Sequence, residues 1–433
     1  MVTTARETKV KPGYKQTEVG VIPEEWEAKR VGDLVTFSGG AQPPRSTFKF
    51  HEKEGYIRLI QIRDYKTDEY ETYIPEEFAR KKCTVDDIMI GRYGPPIFQI
   101  LRGIGGAYNV ALLKAIPSSQ VDKEYLYQFL QQKPLFYHIE SLSQRSSGQT
   151  GVDIVALKDY PFPLPSFVEQ QAIATALSDV DALLIFLDKL IAKKRDIKQA
   201  VMQQLLTGKV RLPGFCKKLN LEYKQTEIGM IPHDWEPISL GYISAFITKG
   251  ATPTTYGFNW VNDGILFLRS ECVSEQGLDL SQSMFITPEA HNVLKRSEVR
   301  TGDILMTITG NVGRAIYLDR NFGSANINQH VARIRVSNTN VAAAYVFYFL
   351  SQPAIRKYYN SITTGQAYPQ ISLKQVRDTQ IFLPPTKAEQ QAIAIFLSDM
   401  DAEIVALEQR REKTRALKQG MMQELLTGKT RLL

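Results

Sequence analysis

Two long phrases each occur twice in this 433-residue chain. The chain reads YKQTEVGVIPEEWE from Tyr14 and YKQTEIGMIPHDWE from Tyr223, with ten of the 14 positions identical. A longer phrase that begins EQQAIATALSDVDA at Glu169 returns from Glu389, and 25 of its 44 positions are identical. A chain that repeats two phrases in the same order is a tandem duplication of one structural unit.

Between the constant phrases lie segments that differ. The first phrase recurs after 209 residues and the second after 220, so the second repeat carries 11 more residues between its constant phrases. Fixed ends around divergent middles predict a shared scaffold that presents two different binding surfaces. We expect a globular domain over residues 14–165, a helix over 166–212, a second globular domain over 213–385 and a second helix over 386–433.

The second phrase of each repeat has the heptad pattern of a coiled coil, in which apolar residues recur at alternating spacings of four and three. The predicted seam consists of Ile173, Leu177, Val180, Leu184, Leu187 and Ile191 in the first copy, and of Ile393, Leu397, Met400, Ile404 and Leu407 in the second. About 40 residues at 1.5 Å each give a rod of roughly 60 Å.

Both helices have predicted caps. Ser166 and Thr386 are candidate N-caps, and the glutamate three residues after each would complete a capping box. Gly208 and Gly428 stand where the helical pattern ends, as C-terminal glycines do.

One such helix cannot bury its seam alone. Either each helix packs on its own globular domain or, as we expect, the two helices pair with each other in antiparallel orientation. Basic residues further along could form a solvated face or flank a phosphate backbone; they are Lys193, Lys194, Arg195, Arg410, Arg411, Lys413 and Arg415. The ends QQLLTGKVRL and QELLTGKTRL are apolar enough to dock on something outside the helix pair.

The variable segments predict mixed secondary structure. GILFLRS, GDILMTITG and HVARIRV alternate like strands, and YLYQFLQQ and YVFYFLSQ resemble amphipathic helices. The expected fold is therefore α+β, with two mixed globular domains separated by two long antiparallel coiled-coil helices in a pseudo-twofold duplication.

Composition sets few limits. Hydrophobic residues make up 43% and charged residues 23% of the chain, as in ordinary globular proteins, and a net charge of +7 permits a polyanionic partner. The beginning of the chain has no apolar secretory segment, and no run of about 18 apolar residues predicts a membrane span. Three cysteines without CxxC spacing argue against a disulfide framework or a zinc site and favour a cytoplasmic protein.

The familiar catalytic motifs are missing, so we expect a chain without catalytic or metal-binding residues. Gln423 stands where a phosphate-binding loop ending in TGKT would need its first glycine. The segment Tyr93-Gly94-Pro95-Pro96 is the nearest approach to an amino-methyltransferase loop and does not match one. The five histidines form no i, i+4 pair of the kind that binds zinc on a helix.

The duplicated arrangement resembles the specificity subunit of type I restriction–modification enzymes. The matching phrases are GxIPxxWE before each variable segment, LPxxxEQQAIAxxLSDxDA at each helix start, and GDILMTITGNVGRAIYL with NINQHVARIR in the second segment. The resemblance covers the chain from about residue 14 to its end. The first variable segment departs from it, with Asp86 in place of Gly302 and without the Asn-Gln-His trio.

The resemblance implies a DNA-binding subunit that has no activity of its own. Residues 14–165 and 213–385 would be target recognition domains, each reading one half of a split, asymmetric site on double-stranded DNA. The helices would set the spacing and bind two methyltransferase subunits, which hold S-adenosylmethionine and methylate adenine. A restriction subunit that uses ATP and Mg²⁺ is a further implied partner. The alternative is a structural coiled-coil scaffold with no role on DNA.

Base recognition should come from polar side chains on the loops that join strands, because these can reach base edges. The candidates in the first domain are Arg92, Tyr93, Asn109, Arg145, Ser147 and Gln149. In the second domain they are Thr309, Asn311, Arg314, Asn328, Gln329, His330, Thr364 and Gln366. Each of these residues could instead be an ordinary turn or capping residue.

Overall fold

The computed structural model describes residues 10–143, 151–215, 222–226, 229–321, 323–365 and 368–432. The chain divides into two compact units. Unit 1 combines Met1–Asp188 with Gln409–Leu433, and unit 2 is Lys189–Glu408. Each unit therefore holds one globular domain together with part of each long helix.

The elements of the first half end with a long helix. Its strands are β1 (Tyr14–Thr17), β2 (Gly20–Pro23), β3 (Glu27–Arg30), β4 (Val35–Gly39), β5 (Tyr56–Ile60), β6 (Tyr73–Pro75), β7 (Lys82–Cys83), β8 (Ile88–Gly91), β9 (Gln99–Leu101), β10 (Gly106–Tyr108), β11 (Leu112–Pro117) and β12 (Pro161–Leu164). Its helices are α1 (Val31–Leu34), α2 (Lys123–Leu130), α3 (Lys133–Ser143), α4 (Ile154–Asp159) and α5 (Phe167–Leu205). Short 3-10 turns occupy Arg45–Thr47, Ile62–Tyr65 and Glu76–Phe78.

The second half repeats this order with additions. Its strands are β13 (Tyr223–Thr226), β14 (Gly229–Pro232), β15 (Glu236–Ser239), β16 (Ser244–Lys249), β17 (Ile265–Leu268), β18 (Val273–Ser274), β19 (Gly277–Leu278), β20 (Met284–Ile286), β21 (Glu298–Val299), β22 (Ile304–Thr307), β23 (Ala315–Tyr317), β24 (Ala325–Ile327), β25 (Val331–Val336) and β26 (Gln380–Leu383). Its helices are α6 (Leu240–Ile243), α7 (Pro288–Val293), α8 (Ala343–Leu350), α9 (Pro353–Ser361), α10 (Leu373–Asp378) and α11 (Lys387–Leu425). The 3-10 turns are Pro253–Tyr256, Ser270–Cys272, Leu280–Gln282 and Lys295–Ser297.

The sheets of the two units correspond strand for strand. Unit 1 has the orders β4-β11-β8-β9 and β6-β5-β10-β7, and unit 2 has β16-β25-β22-β23 and β20-β17-β24-β21. In each unit one pair is parallel, β5 with β10 and β17 with β24. The hairpin β18-β19 belongs to unit 2 and supplies part of its extra length. The tandem duplication inferred from the sequence is thus present in the fold.

The predicted secondary structure is confirmed at these positions. The three alternating runs form β17, β22 and β25, and the two aromatic runs form α2 and α8. All four residues of β8 and of β22 are buried, because each of these strands lies inside its sheet with both faces covered. The aromatic helices bury residues such as Tyr125 and Tyr345, whose hydroxyls donate to backbone carbonyls.

The long helices contribute to both cores. In unit 1, Ile173 and Leu177 of α5 lie in the same apolar cluster as Leu425 and Leu426 at the end of α11. In unit 2, the equivalent cluster joins the start of α11 with the end of α5, namely Met202, Leu205, Leu206, Ile393 and Leu397. The expectation that the helix ends dock on something outside the helix pair is therefore confirmed, and what they dock on is a globular core of this chain.

Ion pairs show that the helices run antiparallel within each unit. In unit 1, Lys418 Nζ lies 2.7 Å from an Asp181 carboxylate oxygen, and Arg411 lies 3.1 Å from Asp188. In unit 2, Lys194 lies 2.6 Å from Glu403. Two further pairs in unit 2 join Arg195 with Glu408 and Lys198 with Asp401. Residue numbers rise on one helix as they fall on the other, which confirms the α+β fold with two antiparallel long helices. Three of the basic residues noted in the sequence, Lys194, Arg195 and Arg411, therefore form ion pairs between the two helices.

The predicted seam is unevenly covered. Ile173, Leu177, Leu187, Ile191, Ile393, Leu397 and Ile404 are buried, and Val180, Leu184, Met400 and Leu407 are half-buried. Thr414 is also buried and lies where the heptad would place an apolar residue. Ile173, Leu177, Ile393 and Leu397 lie in the globular cores, whereas Leu187, Ile191 and Ile404 are buried outside those two clusters.

A buried carboxylate joins the two constant phrases of unit 1. Glu169 accepts a 2.9 Å hydrogen bond from the Trp26 indole Nε1 and lies against the Arg431 guanidinium, which also donates to Glu25. We call Trp26, Glu169 and Arg431 the clasp of unit 1. The clasp of unit 2 consists of Trp235, Glu389 and Arg211. Arg211 Nε donates to Glu389 at 2.7 Å and the guanidinium lies 6.0 Å from the centre of the Trp235 ring, whereas the buried Trp235 Nε1 has no hydrogen-bond partner among the described residues.

The capping box is only half formed. Ser166 Oγ accepts the Glu169 N–H at 3.3 Å, and Thr386 Oγ1 does the same for Glu389. The two carboxylates, however, bind the clasp arginines rather than the cap. At the other ends, Gly208 and Gly428 have φ of +68° and +71° and follow the helices as expected.

Those glycines also explain why the phrases TGK and IPxxW occur together. A Cβ on Gly428 would lie 2.4 Å from the Pro23 ring, and one on Gly208 would lie 2.4 Å from the Pro232 ring. The Tyr14 hydroxyl donates to the Gly428 carbonyl at 3.1 Å. Each helix end is therefore fitted to a constant phrase with no room for a larger residue.

A partly buried carboxylate holds the turn between β7 and β8. Asp87 accepts hydrogen bonds from the Thr84 N–H at 2.8 Å and from Lys123 at 3.3 Å, and it pairs with Lys114 at 2.6 Å. Burial opposes the ionised carboxylate, but the hydrogen bonds from Lys114, the Thr84 N–H and Lys123 outweigh it and lower the pKa of Asp87 to about 2.

The clasp makes a first prediction. Replacing Arg431 with Ala leaves Glu169 buried without its cation, so the free energy of unfolding should fall by about 3–5 kcal/mol. Urea unfolding of the whole chain measures this loss. Lys429→Ala removes an exposed cation two residues away and should change stability by less than about 0.5 kcal/mol. Adding Glu169→Gln to the first variant should recover part of the loss, because a neutral amide is cheaper to bury. Equal stability of the two single variants would contradict the role of the clasp.

A second prediction concerns pH. Because the pKa of folded Asp87 lies below the value for an unfolded chain, the ionised carboxylate stabilises the fold at pH values above about 4. Asp87→Asn should therefore lower the free energy of unfolding by about 2 kcal/mol at pH 7. The difference in free energy of unfolding between the variant and the wild type should become smaller as the pH falls from about 4 towards 2. Urea titrations at several pH values test this, with the exposed neighbour substitution Asp86→Asn as control. A gap that stays constant over that range would rule the explanation out.

Candidate nucleic-acid interface

In unit 2, several loops meet along one edge of the domain. The Gly250 N–H donates to the Asn328 carbonyl at 3.0 Å, and the Ile308 N–H donates to the His330 carbonyl at 2.9 Å. The Gly310 N–H donates to the Pro369 carbonyl at 2.8 Å. We call residues 250–252, 308–311, 328–330 and 369–371 the loop edge of unit 2.

Polar side chains cover this loop edge. Thr252 Oγ1 donates to Gln329 Oε1 at 2.7 Å, and the Gln329 amide nitrogen lies 3.1 Å from His330 Nε2. Asn328 is almost fully buried, and its Oδ1 accepts the His330 N–H at 3.1 Å. The structure thus gathers side chains with both donors and acceptors on one surface, as base recognition requires.

The other candidates of unit 2 lie at the loop edge or away from it. Thr309 and Thr364 both form bridges with the backbone of Gln370, and Asn311 is exposed in the turn after β22. Arg314 lies elsewhere, with its Nε 3.9 Å from a Glu275 carboxylate oxygen. A further candidate, Gln366, lies outside the described residues.

Arg314 is one of two arginines beside the same carboxylate. Arg356 donates to Glu275 at 2.8 Å, and this hydrogen bond, with the positive charges of Arg356 and Arg314, lowers the pKa of Glu275. The ion pair ties Arg314 to the turn between β18 and β19. Its charge is therefore partly neutralised before any DNA is bound.

Unit 1 has the same loop edge, formed by residues 40–42, 92–93, 109–111 and 151–152. The Arg92 N–H donates to the Ala111 carbonyl at 2.9 Å, and the Val152 N–H donates to the Arg92 carbonyl at 3.0 Å. Tyr93 forms a bridge with Gly151. This pattern repeats that of Ile308, His330 and Ile371 in unit 2.

The unit 1 candidates that the structure describes all lie on this loop edge. The Arg92 guanidinium stacks 5.2 Å from the centre of the exposed Tyr93 ring. Asn109 Oδ1 accepts the Ala111 N–H at 3.1 Å, as Asn328 does for its own turn. The remaining candidates, Arg145, Ser147 and Gln149, lie outside the described residues.

The hydrogen-bond register adds one detail to the sequence comparison. Asn109 occupies the position of Asn328, since each begins the same turn before the last strand of its sheet. The first residue of the Asn-Gln-His trio is therefore present in unit 1. Val110 and Ala111 replace the other two residues, Gln329 and His330. The same backbone thus carries different side chains in the two units.

A cavity of about 430 Å³ opens at the loop edge of unit 1, and the sequence did not predict it. It is lined by Gln42, Pro43, Arg45, Phe48, Leu59, Gln61 and Asn109. One signal could have located it, because GAQP at 40–43 recurs as GATP at 250–253. A Cβ on Gly40 would lie 1.9 Å from the Asn109 carbonyl oxygen, so this approach requires glycine.

Other kinds of site are not found in the part of the chain that the structure describes. No three His, Cys, Asp or Glu side chains there come together in a way that could hold a metal ion. Among the described helices none is both long enough and apolar enough to cross a membrane. Cys83 and Cys272 are buried free thiols, and Cys216 lies outside the described residues.

Known proteins resemble this chain over almost its whole length. The type I restriction enzyme MjaVIII specificity subunit of Methanocaldococcus jannaschii is 26% identical, over 95% of this chain and 94% of its own. The type I restriction enzyme EcoBI specificity subunit of Escherichia coli is 25% identical, over 86% of this chain and 78% of its own.

The fold also has solved counterparts. The crystal structure of the type I restriction–modification S subunit from M. genitalium superimposes with a TM-score of 0.57 over 92% of this chain and 96% of its own, at 16% identity. The model of the type I restriction modification DNA specificity domain matches residues 23–198 and again residues 232–416. These two matches fall on the two repeats and together cover most of the sequence. The chain therefore belongs to the family of type I restriction–modification DNA specificity domains, and it contains two of them.

Proposed function

We propose that the chain is the DNA-reading subunit of a type I restriction–modification complex and catalyses no reaction alone. Each globular domain is a target recognition domain that reads one half of a split, asymmetric site on double-stranded DNA. One observation carries this proposal: the two loop edges share a backbone and differ in side chains. Tyr93 stands where Thr309 stands, and Val110 stands where Gln329 stands. A scaffold without a DNA role has no need for this pattern.

The candidate residues at the loop edges supply the contacts in this proposal. Arg92, Tyr93 and Asn109 would meet the first half-site, and Thr309, Asn311, Gln329, His330 and Thr364 the second. Asn328 chiefly fixes its turn, and Arg314 would contact DNA from beside the β18-β19 hairpin. The net charge of +7 favours a polyanion but cannot select a sequence, so base readout must come from these loops.

We further propose that the long helices hold the spacing and bind two methyltransferase subunits. Exposed apolar residues recur at equivalent helix positions, 220 residues apart: Ile185 with Val405, and Ile197 with Leu417. Unit 1 holds Ile185 and Leu417, and unit 2 holds Ile197 and Val405. Each unit thus has its own equivalent set of exposed apolar helix residues, and two equivalent sets fit two copies of one partner.

The chemistry would then reside on the partners. Methyltransferase subunits would bring S-adenosylmethionine and methylate adenine, and a restriction subunit would bring ATP and Mg²⁺. We place the assembly in the cytoplasm, where cellular DNA is accessible.

The modular reading predicts the outcome of a domain exchange. Residues 28–164 begin and end at adjacent positions, because Ala28 pairs with Pro163 across β3 and β12. Exchanging this segment for that of another family member should change one half of the methylated motif and leave the other half intact. Methylation-aware sequencing of DNA modified by the complex reads both halves. Residues 237–383 offer the matched exchange in unit 2, where Pro237 pairs with Phe382. A change in both halves from one exchange would overturn the modular reading.

The proposed docking residues predict a change in the number of bound methyltransferase subunits. Ile185→Glu with Leu417→Glu should weaken one methyltransferase site by about 3 kcal/mol or more, because two apolar side chains lose their burial. Native mass spectrometry should then show complexes with one methyltransferase subunit instead of two. Ile197→Glu with Val405→Glu should have the same effect through unit 2. Val155→Glu alters an equally exposed apolar residue on α4, outside the long helices, and should not change the stoichiometry. Two bound copies in every variant would refute this docking surface.

A further inference from the structure

The cavity of unit 1 lies at the loop edge, and Gln61 lines it together with Gln42 and Asn109. We propose that this cavity takes the edge of an adenine in the first half-site, an inference that rests on the proposed function. We assign Gln61 as the residue that selects this base. Nothing in the repeated phrases marks Gln61, which is the first residue after β5.

A buried hydroxyl fixes the orientation of the Gln61 amide. Gln61 Nε2 donates to Thr72 Oγ1 at 3.2 Å, and Thr72 is 1% exposed. The Thr72 hydroxyl in turn donates to the Tyr70 carbonyl at 3.4 Å, so it has only lone pairs to offer the amide. The amide nitrogen is thereby held towards Thr72, which leaves Oε1 and the second N–H for a ligand.

Adenine fits this remaining donor and acceptor. In the major groove adenine presents the N6 amino group as a donor beside N7 as an acceptor, and a glutamine amide can bind both at once. A guanine offers two acceptors at those positions and would leave Oε1 facing another acceptor. Guanine would therefore leave a polar group in the cavity without a partner, which disfavours its binding.

The rest of the cavity suits a base rather than a phosphate. Phe48, Leu59 and Pro43 form apolar walls, and the methyl group of a paired thymine is the part of the major groove that favours such contacts. Arg45 also lines the cavity and is exposed to solvent, where it can reach the backbone of bound DNA. Apart from Arg45, the polar side chains that line the cavity are amides, which carry no charge to attract a phosphate.

The other unit places a different reader at the same point. Ile60 pairs with Tyr108 in unit 1, and Leu268 pairs with Ile327 in unit 2, so the residues that follow, Gln61 and Arg269, are equivalent.

The turns that hold these two residues are also the same. The Gln61 N–H donates to Asp64 Oδ2 at 2.8 Å, and the Arg269 N–H donates to Cys272 Sγ at 3.4 Å. The scaffold is kept while a glutamine becomes an arginine. These are the side chains that typically read adenine and guanine.

The test uses the full chain in complex with its methyltransferase subunits, acting on duplexes whose first half-site is randomised. Gln61→Ala should reduce discrimination at one position of that half-site by about tenfold or more. Gln61→Arg, which copies unit 2, should shift the preferred base at the same position from adenine towards guanine. Gln16→Ala removes an exposed glutamine on β1, outside the cavity, and should leave the motif unchanged. The second half-site serves as an internal check that each variant folds and assembles.

The outcomes separate this inference from the proposed function. Relaxation at one position, with the second half-site intact, supports Gln61 as a reader. An unchanged motif in Gln61→Ala, or a loss spread evenly over all sequences, would overturn it while leaving the proposed function standing. A wild-type complex that methylates no split motif would instead contradict the proposed function itself.

Discussion

The buried clasp carboxylate is the interaction that holds the segments of each unit together. Glu169 begins one long helix, Trp26 belongs to the first constant phrase, and Arg431 follows the other helix. One charge therefore joins three segments that are far apart in the sequence. Removing the cation beside a buried carboxylate is costly, because burial penalises the ionised form. In unit 2 that penalty raises the pKa of Glu389, even though the Arg211 hydrogen bond acts in the opposite direction.

This constraint explains why whole phrases are repeated. The EQQ motif supplies the clasp glutamate and then a buried glutamine. Gln170 Oε1 accepts the Asp122 N–H at the start of α2, and Gln390 Oε1 accepts the Ala342 N–H at the start of α8. TGK supplies the glycine that fits against a proline of the IPxxW phrase. Each position must satisfy the same geometry in both units, so it can change only together with its partners. Outside these contacts the segments are free to diverge, as the variable regions have done.

The sequence predicted the repeats, the long helices and their antiparallel pairing, because periodicity and duplication are local or directly readable. It did not predict that the helix ends lie in the cores, since Leu426 meets its neighbours across some 400 residues of chain. Strand-joining loops suggested Asn109 and Gln329 as DNA-binding candidates, and the structure places both on the loop edges. The sequence did not predict Gln61 as a site residue, because the two repeats are not alike in this segment. Its counterpart Arg269 is identified only by the register of the strands.

Whether a loop residue is the same in both units depends on whether its side chain forms a hydrogen bond to the backbone of its own turn. Asn109 and Asn328 use Oδ1 to close the same turn, so their identity is tied to the backbone and they are kept in both units. Val110 and Gln329 close no turn and are free to differ. A loop edge built in this way can change its surface chemistry without a change in its backbone. Two such edges on one duplicated scaffold allow a single chain to present two unlike surfaces, which a simple twofold dimer of identical domains could not do.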